Sequence, residues 1–179
     1  MTDFSIFKSE EAELLASLPY KVGAWVGHSE DQGGEEDDKR EEAVLSACLK
    51  RFVKLKEDKP FVGSVVSESL RRADRWAVWA DESHSVLADI KRAVVLLRDK
   101  RATPEEIKGL KATLMEIGTA VAQASGEFSG DDADGKGFLG KMIGKIAGFM
   151  ADDAGHPMNV SAAEDSALEE LRQTLRGKR

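Results

Sequence analysis

The chain has 179 residues, 41% hydrophobic and only 6% aromatic, with 26 basic residues against 33 acidic ones and a formal net charge of -7. That length fits one domain, or two small halves sharing a core. Four prolines, one tyrosine and few alternating β-branched runs exclude a sheet protein, and an acidic chain with its bases scattered along helices excludes a nucleic-acid binder.

In chain order, Ser9 opens a helix, SEEAELLASL, with acids in its first turn where the helix dipole favours them. Pro19 ends or kinks it, and YKVGAWVGHS follows as a second short helical piece. Residues 29–38 are polar throughout and read as a mobile loop. The next helix, about 38 to 56, carries Val44, Leu45, Cys48, Leu49, Phe52 and Leu55 on its inner side, and Lys59-Pro60 closes it. Cys48 in this apolar run reads as a buried, inert thiol, and a single cysteine excludes an intramolecular disulfide.

From Phe61 to Lys100 a helical phase runs through Val62, Val66, Leu70, Ala73, Ala77, Ala80, Leu87, Ile90, Val94 and Leu97. Two helices with a joint between Ala73 and Ser85 are expected, because Asp74, Asp81, Ser83 and Ser85 can all cap; one long rod is the alternative. The stretch 103–126 carries both helix ends in its sequence. Thr103 caps, Pro104 starts, Glu106 closes a capping box, and Gly126 supplies the left-handed residue at the end. Ile107, Leu110, Leu114, Ile117, Val121 and Ala124 form one seam along it, so this rod is the expected organising element.

A second acidic, glycine-rich loop, 126–137, precedes the amphipathic run 138–151, and 152–160 is a third loop. Ser161 and Glu164 form a second capping box before the last helix, whose inner side holds Leu168, Leu171 and Leu175. The fold class is therefore all-α, a compact bundle of about seven or eight helices.

Each half, 9–100 and 103–176, shows an apolar helix, an acidic glycine-containing loop, and a helix entered by acids and then leucines. This is either a degenerate duplication or the coincidence of two amphipathic helix pairs. The layout resembles the TerB-like helical proteins, a bacterial family named for tellurite resistance. The residues that carry the resemblance are Ser29, Glu30, Asp31, Gln32 and Gly33 before Glu41 and Glu42, then Ala124, Ser125 and Gly126 with Ser161, Ala162, Ala163 and Glu164. Neither copy has a clean Ala-Asp-Gly, and 138–151 is an insertion relative to that pattern. The resemblance implies a compact, helical, stress-linked protein with acidic loops able to bind a divalent cation, and a non-enzymatic role is the expectation that goes with it.

The candidate metal ligands are Asp131, Asp132 and Asp134 in one loop and Glu30 and Asp31 in the other. Hard cations such as calcium or magnesium accept clustered carboxylates. With Gly135 in the turn position, Asp132 and Asp134 fall at positions three and five of a calcium loop. Gly130 and Lys141 then occupy positions one and twelve, which rules out an EF-hand. A solvated acidic loop is the plain alternative.

No second Glu-x-x-His accompanies the single Asp81–His84 spacing, so a di-iron bundle is excluded; the three histidines, His28, His84 and His156, lie on separate segments that could converge on one ion, and surface or cap roles are the plain reading for them. No nucleophile elbow, phosphate loop or dinucleotide fingerprint is present. A metal-dependent hydrolase would have no nameable base or nucleophile. Trp76 and Trp79, three apart, suit core packing or an interface.

Phe138, Leu139, Met142, Ile143, Ile146, Phe149 and Met150 fill one half of a helical wheel, with Lys141 and Lys145 opposite. They suit a partner or membrane surface, or a helix packed on its own core. The expectation is a protein that works through a protein partner or self-association, with a peripheral membrane adaptor as the alternative. No run reaches 18 apolar residues, and MTDFSIFKSEEAELL has no basic start followed by an apolar run, so the cytoplasm is the expected compartment.

Overall fold

Thirteen of the nineteen residues of one helix, Ser9–Gly27, are buried, and the other helices pack around it. This is seen in a computed structural model that describes residues 2–29, 35–128 and 160–177. The described chain is an all-helical bundle of seven α-helices with no strand among the described residues. They are α1 (Ser9–Gly27), α2 (Glu35–Leu55), α3 (Pro60–Arg71), α4 (Trp76–Asp81), α5 (Val86–Asp99), α6 (Pro104–Phe128) and α7 (Ala162–Arg176).

The centre is α1 rather than the 103–126 rod. A helix that is apolar on nearly every side belongs in the middle of a bundle. The face Ala16, Tyr20 and Ala24 packs with Leu45, Leu49 and Phe52 of α2, Trp76 and Trp79 of α4, and Ile117 and Val121 of α6. The opposite face, Leu15, Leu18 and Val22, packs with Phe61 and Val65 of α3, Ile90 and Leu97 of α5, Leu114 of α6 and Leu171 of α7. The helix does not end at Pro19, and α1 runs through it as one element with YKVGAWVG as its second half. An interior proline costs about 3 kcal/mol in a helix. Burial on both faces offsets that cost, which the local sequence does not reveal.

Three boundaries also differ from expectation. The helix expected from residue 38 begins at Glu35, because a run of acids suits the positive end of a helix dipole. Gly126 does not end α6, which continues to Phe128. Between Arg71 and Val86 the joint is itself helical: a 3-10 turn at Ala73–Arg75, the short α4, and another 3-10 turn at Ser83–Ser85. There Ala73 and Ala77 are exposed while Trp76 and Trp79 are buried, shifting the expected phase. Two indoles return far more apolar area to the core than two methyls. Trp76 stacks on Tyr20 with ring centroids 4.8 Å apart, and its Nε1–H donates to Ser69 O at 2.9 Å.

Close approaches use glycine where a side chain would collide. A methyl on Gly63 would lie 3.0 Å from Lys56 O, so α3 starts hard against the end of α2. One on Gly118 would lie 3.0 Å from Leu171 Cδ2, where α7 docks on α6. The turn from α5 to α6 lacks glycine. Arg101 takes the left-handed conformation (φ 60°), Ala102 N–H bonds Leu97 O at 2.9 Å, and Arg101 N–H bonds Arg98 O at 3.0 Å, a Schellman stop. Cys48 is buried as expected, and burial pushes its thiol up to about 12.

Both capping boxes form. Glu164 N–H donates to Ser161 Oγ at 3.2 Å and Ser161 N–H to Glu164 Oε2 at 3.1 Å. At α6, Glu106 N–H donates to Thr103 Oγ1 at 3.2 Å and Thr103 N–H to Glu106 Oε2 at 2.8 Å. Glu106 also anchors the start of the chain, accepting Thr2 N–H at 2.6 Å and Thr2 Oγ1–H at 2.7 Å. Burial raises the Glu106 pKa, but the hydrogen bonds from Thr2 and Thr103 outweigh it and hold the carboxyl at about 2. The folded value lies below the ordinary 4.5, so the stability it contributes is complete above that pH and drains away as pH falls toward 2. Glu106→Gln is therefore expected to narrow the gap between melting temperatures at pH 5.5 and pH 2.5. An unchanged gap would contradict the assignment.

Candidate functional site

A cleft of about 420 Å³ opens where α1 ends, where the Ser83–Ser85 turn passes, and along the first two turns of α7. Its α1 side is built by the last turns of that helix. Lys21, Trp25 and His28 stand at i, i+4 and i+7 and share one face, with Lys21 buried, Trp25 half-buried and His28 exposed. His28 caps the helix, donating its backbone N–H to Ala24 O at 2.9 Å. Ser29 then turns back on Val26 O through both its N–H (3.1 Å) and its hydroxyl (2.7 Å). On α7, Ala163, Ser166, Ala167 and Glu170 line the cleft at helical spacing.

The third wall is held by a buried charge centre. Lys21 Nζ lies 3.0 Å from Glu82 Oε2 and 3.1 Å from Asp89 Oδ2, with Lys21 and Asp89 only 5% and 4% exposed. Asp89 also accepts Ser85 Oγ–H at 2.8 Å and Arg92 Nη1–H at 3.1 Å. One ammonium thus ties both flanks of the 83–84 turn to α1 and fixes His84 at the cleft opposite His28. The His84 Nδ1 sits 3.0 Å from Asp81 O. A carbonyl only accepts, so Nδ1 carries the proton and Nε2 keeps the lone pair in the neutral ring, the state in which imidazole ligates a metal. The Asp81–His84 spacing therefore serves a backbone hydrogen bond and not a paired ligand set.

The cleft offers two imidazoles, the exposed Glu170 carboxylate and the Ser29, Ser83 and Ser166 side chains. Among the described residues, no three His, Cys, Asp or Glu side chains come close enough together to hold a metal ion. What the cleft adds is position. Ser29, on its wall, immediately precedes the acidic loop with Glu30 and Asp31, whereas Ala163, on the other wall, follows the acidic loop 126–137, which holds Asp131, Asp132 and Asp134, only after the intervening residues 138–160.

Those five acids lie outside the described residues, as do Phe138, Leu139, Met142, Ile143, Ile146, Phe149, Met150 and His156. Of the three histidines on separate segments, His28 and His84 come to one cleft. Their shared cleft has no local signature, because three elements far apart in the chain create it. Trp76 and Trp79 are buried, and Trp79 Nε1–H donates to Glu13 Oε1 at 2.8 Å. No helix among the described residues is long and apolar enough to cross a membrane.

No protein-family model matches the chain, and no curated protein or solved structure is significantly similar to it.

Proposed function

We propose that this chain is a non-enzymatic, cytoplasmic helical binding protein of the TerB-like kind, acting on a protein partner under the control of a divalent cation at its acidic loops. The observation that carries the reading is that Ser29, the residue immediately before the Glu30–Asp31 loop, lines one cleft together with His28, His84 and Glu170. The described residues of the cleft do not assemble a metal set by themselves, so carboxylates of the Glu30–Asp31 loop would have to supply the oxygen ligands that hard cations prefer. Charge neutralisation there would fix the loops against the bundle and present the 138–151 segment to the partner. The buried charges of the body support a structural role for the bundle, because Lys21 with Asp89 and Lys56 with Glu116 (2.6 Å) are spent on joining helices.

Thermal melting of the full chain in EDTA, and then with calcium, magnesium, manganese or zinc, tests the cation. A ligand at one hundred times its dissociation constant stabilises by about 2.7 kcal/mol, a rise of roughly 5–11 °C for a chain this size. A selective rise that falls in Glu30→Gln/Asp31→Asn, in the triple Asn variant of Asp131, Asp132 and Asp134, or in Glu170→Gln locates the ligands. A flat response with every metal sinks the cation half of the reading.

A second reading, a peripheral membrane adaptor, rests on the amphipathic sequence 138–151. Co-sedimentation with anionic liposomes that survives deletion of that segment would remove it.

A further inference from the structure

The face of the bundle formed by α1 and α5 carries a groove of about 500 Å³ with an apolar floor of Leu14, Val95 and Leu96. Val95 is 55% exposed, the most open of the large apolar side chains among the described residues. The two helices run antiparallel: Glu11 pairs with Lys100 at one end (2.9 Å), and Lys21 pairs with Asp89 toward the other. The groove is consequently polarised along its length. One end is acidic, with Glu10 and Glu11 of α1 beside Asp99 of α5, and the other is basic, with Lys91 and Arg92.

Lys91 and Asp99 stand four residues before and four after Val95, so they lie on the same stripe about 6 Å to either side of it along the helix. Both are exposed, and neither has an ion-pair partner in the described chain. A two-fold axis through Val95, perpendicular to α5, lays a second copy across the first in the antiparallel sense. Under that operation Lys91 of each copy meets Asp99 of the other, and Val95 meets Val95. A surface whose charge reverses sign about its own apolar centre is self-complementary under this symmetry, which an isologous dimer requires. An unlike partner would need no such symmetry.

We propose that this face is a homodimer interface, with α5 packed antiparallel on α5 about Val95. The proposal rests on the reading that the protein works through protein contacts and names that contact as a second copy. One groove and its rim are small beside a standard interface of roughly 1,600 Å² total, so the dimer is weak and concentration-dependent.

Sedimentation velocity of the full chain from micromolar to millimolar concentration, at low salt, tests it. The wild type is expected to move from monomer to dimer mass. Lys91→Asp and Asp99→Lys each turn two attractions into two repulsions and raise the dimer Kd about tenfold or more. Mixing the two reversed chains pairs Asp with Lys at both contacts, and dimer mass returns. Both positions are exposed, and far-UV circular dichroism checks that each variant keeps its helices. A wild type that stays monomeric at millimolar concentration overturns the proposal, as does a dimer that neither reversal weakens. Neither result touches the cation melt, which reads a monomer equally well.

Discussion

Asp89→Ala is expected to lower stability by about 3 kcal/mol, because removing one member of a buried ion pair strands the other charge away from water. Lys21 would keep only Glu82, whose side chain is 54% exposed, in place of the buried carboxylate. For a chain of this length the loss corresponds to a fall in melting temperature of roughly 6–12 °C. The double variant Lys21→Met/Asp89→Leu is expected to recover most of it. Apolar side chains of similar volume remove both buried charges at once, and Arg92 is already open to water at 71% exposure. Thermal melts of wild type, Lys21→Met, Asp89→Leu and the double variant close the cycle, with Asp89→Ala beside them. If Asp89→Ala costs less than about 1 kcal/mol, the centre is not what holds the 83–84 turn. The consequence would extend beyond stability, since that turn places His84 at the cleft and the variant would loosen the wall opposite His28.

Trp79→Ala is expected to cost about 3–5 kcal/mol in urea unfolding followed by far-UV circular dichroism. Trp79 is 1% exposed, its ring centroid lies 6.2 Å from that of Tyr20, and it sits where α4 meets α1 and α2. It also donates to Glu13, which accepts Arg72 Nη1–H at 2.6 Å and Arg75 Nε–H at 3.2 Å. Trp79→Phe keeps an aromatic ring in place but loses the N–H with the pyrrole part of the indole, so it is expected to cost less, about 1–3 kcal/mol. Burial raises the Glu13 pKa, but the hydrogen bonds from Trp79, Arg72 and Arg75 outweigh it and leave the carboxyl below its ordinary 4.5. That depression means its contribution is present above pH 4.5 and lost in acid, and the Phe variant is expected to lose less of its stability in acid than the wild type. Equal costs for Phe and Ala would mean that packing is irrelevant here and the hydrogen bond is everything.

Much of the fold was legible because helices announce themselves locally. The Thr103/Glu106 and Ser161/Glu164 boxes form as their spacing requires, and the seams Leu110–Leu114–Ile117 and Leu168–Leu171–Leu175 face the core. The expectations that failed involve competition between local preference and burial. Pro19 opposes a helix locally, yet α1 passes through it, because packing on both faces outweighs one missing hydrogen bond. Alanines at 73 and 77 kept helical phase on paper, but the neighbouring tryptophans claimed the core. The candidate site was less legible still. His28, His84 and Glu170 carry no shared motif, and a cleft wall assembled from α1, a 3-10 turn and α7 leaves no spacing in the chain to find.

The sequence by itself determined the class of fold and most helix ends, since caps, dipole-facing acids and 3.6-residue periodicity act within one or two turns of chain. It also marked the acidic loops and the amphipathic run as the unusual chemistry. Only the tertiary structure decided that α1 and not α6 is the hub, that Lys21 is buried against Asp89, that two distant histidines share a cleft, and that Val95 is left on a polarised face. Each of these depends on which helix covers which. That choice is set by the summed burial of the whole chain, a quantity no local stretch contains.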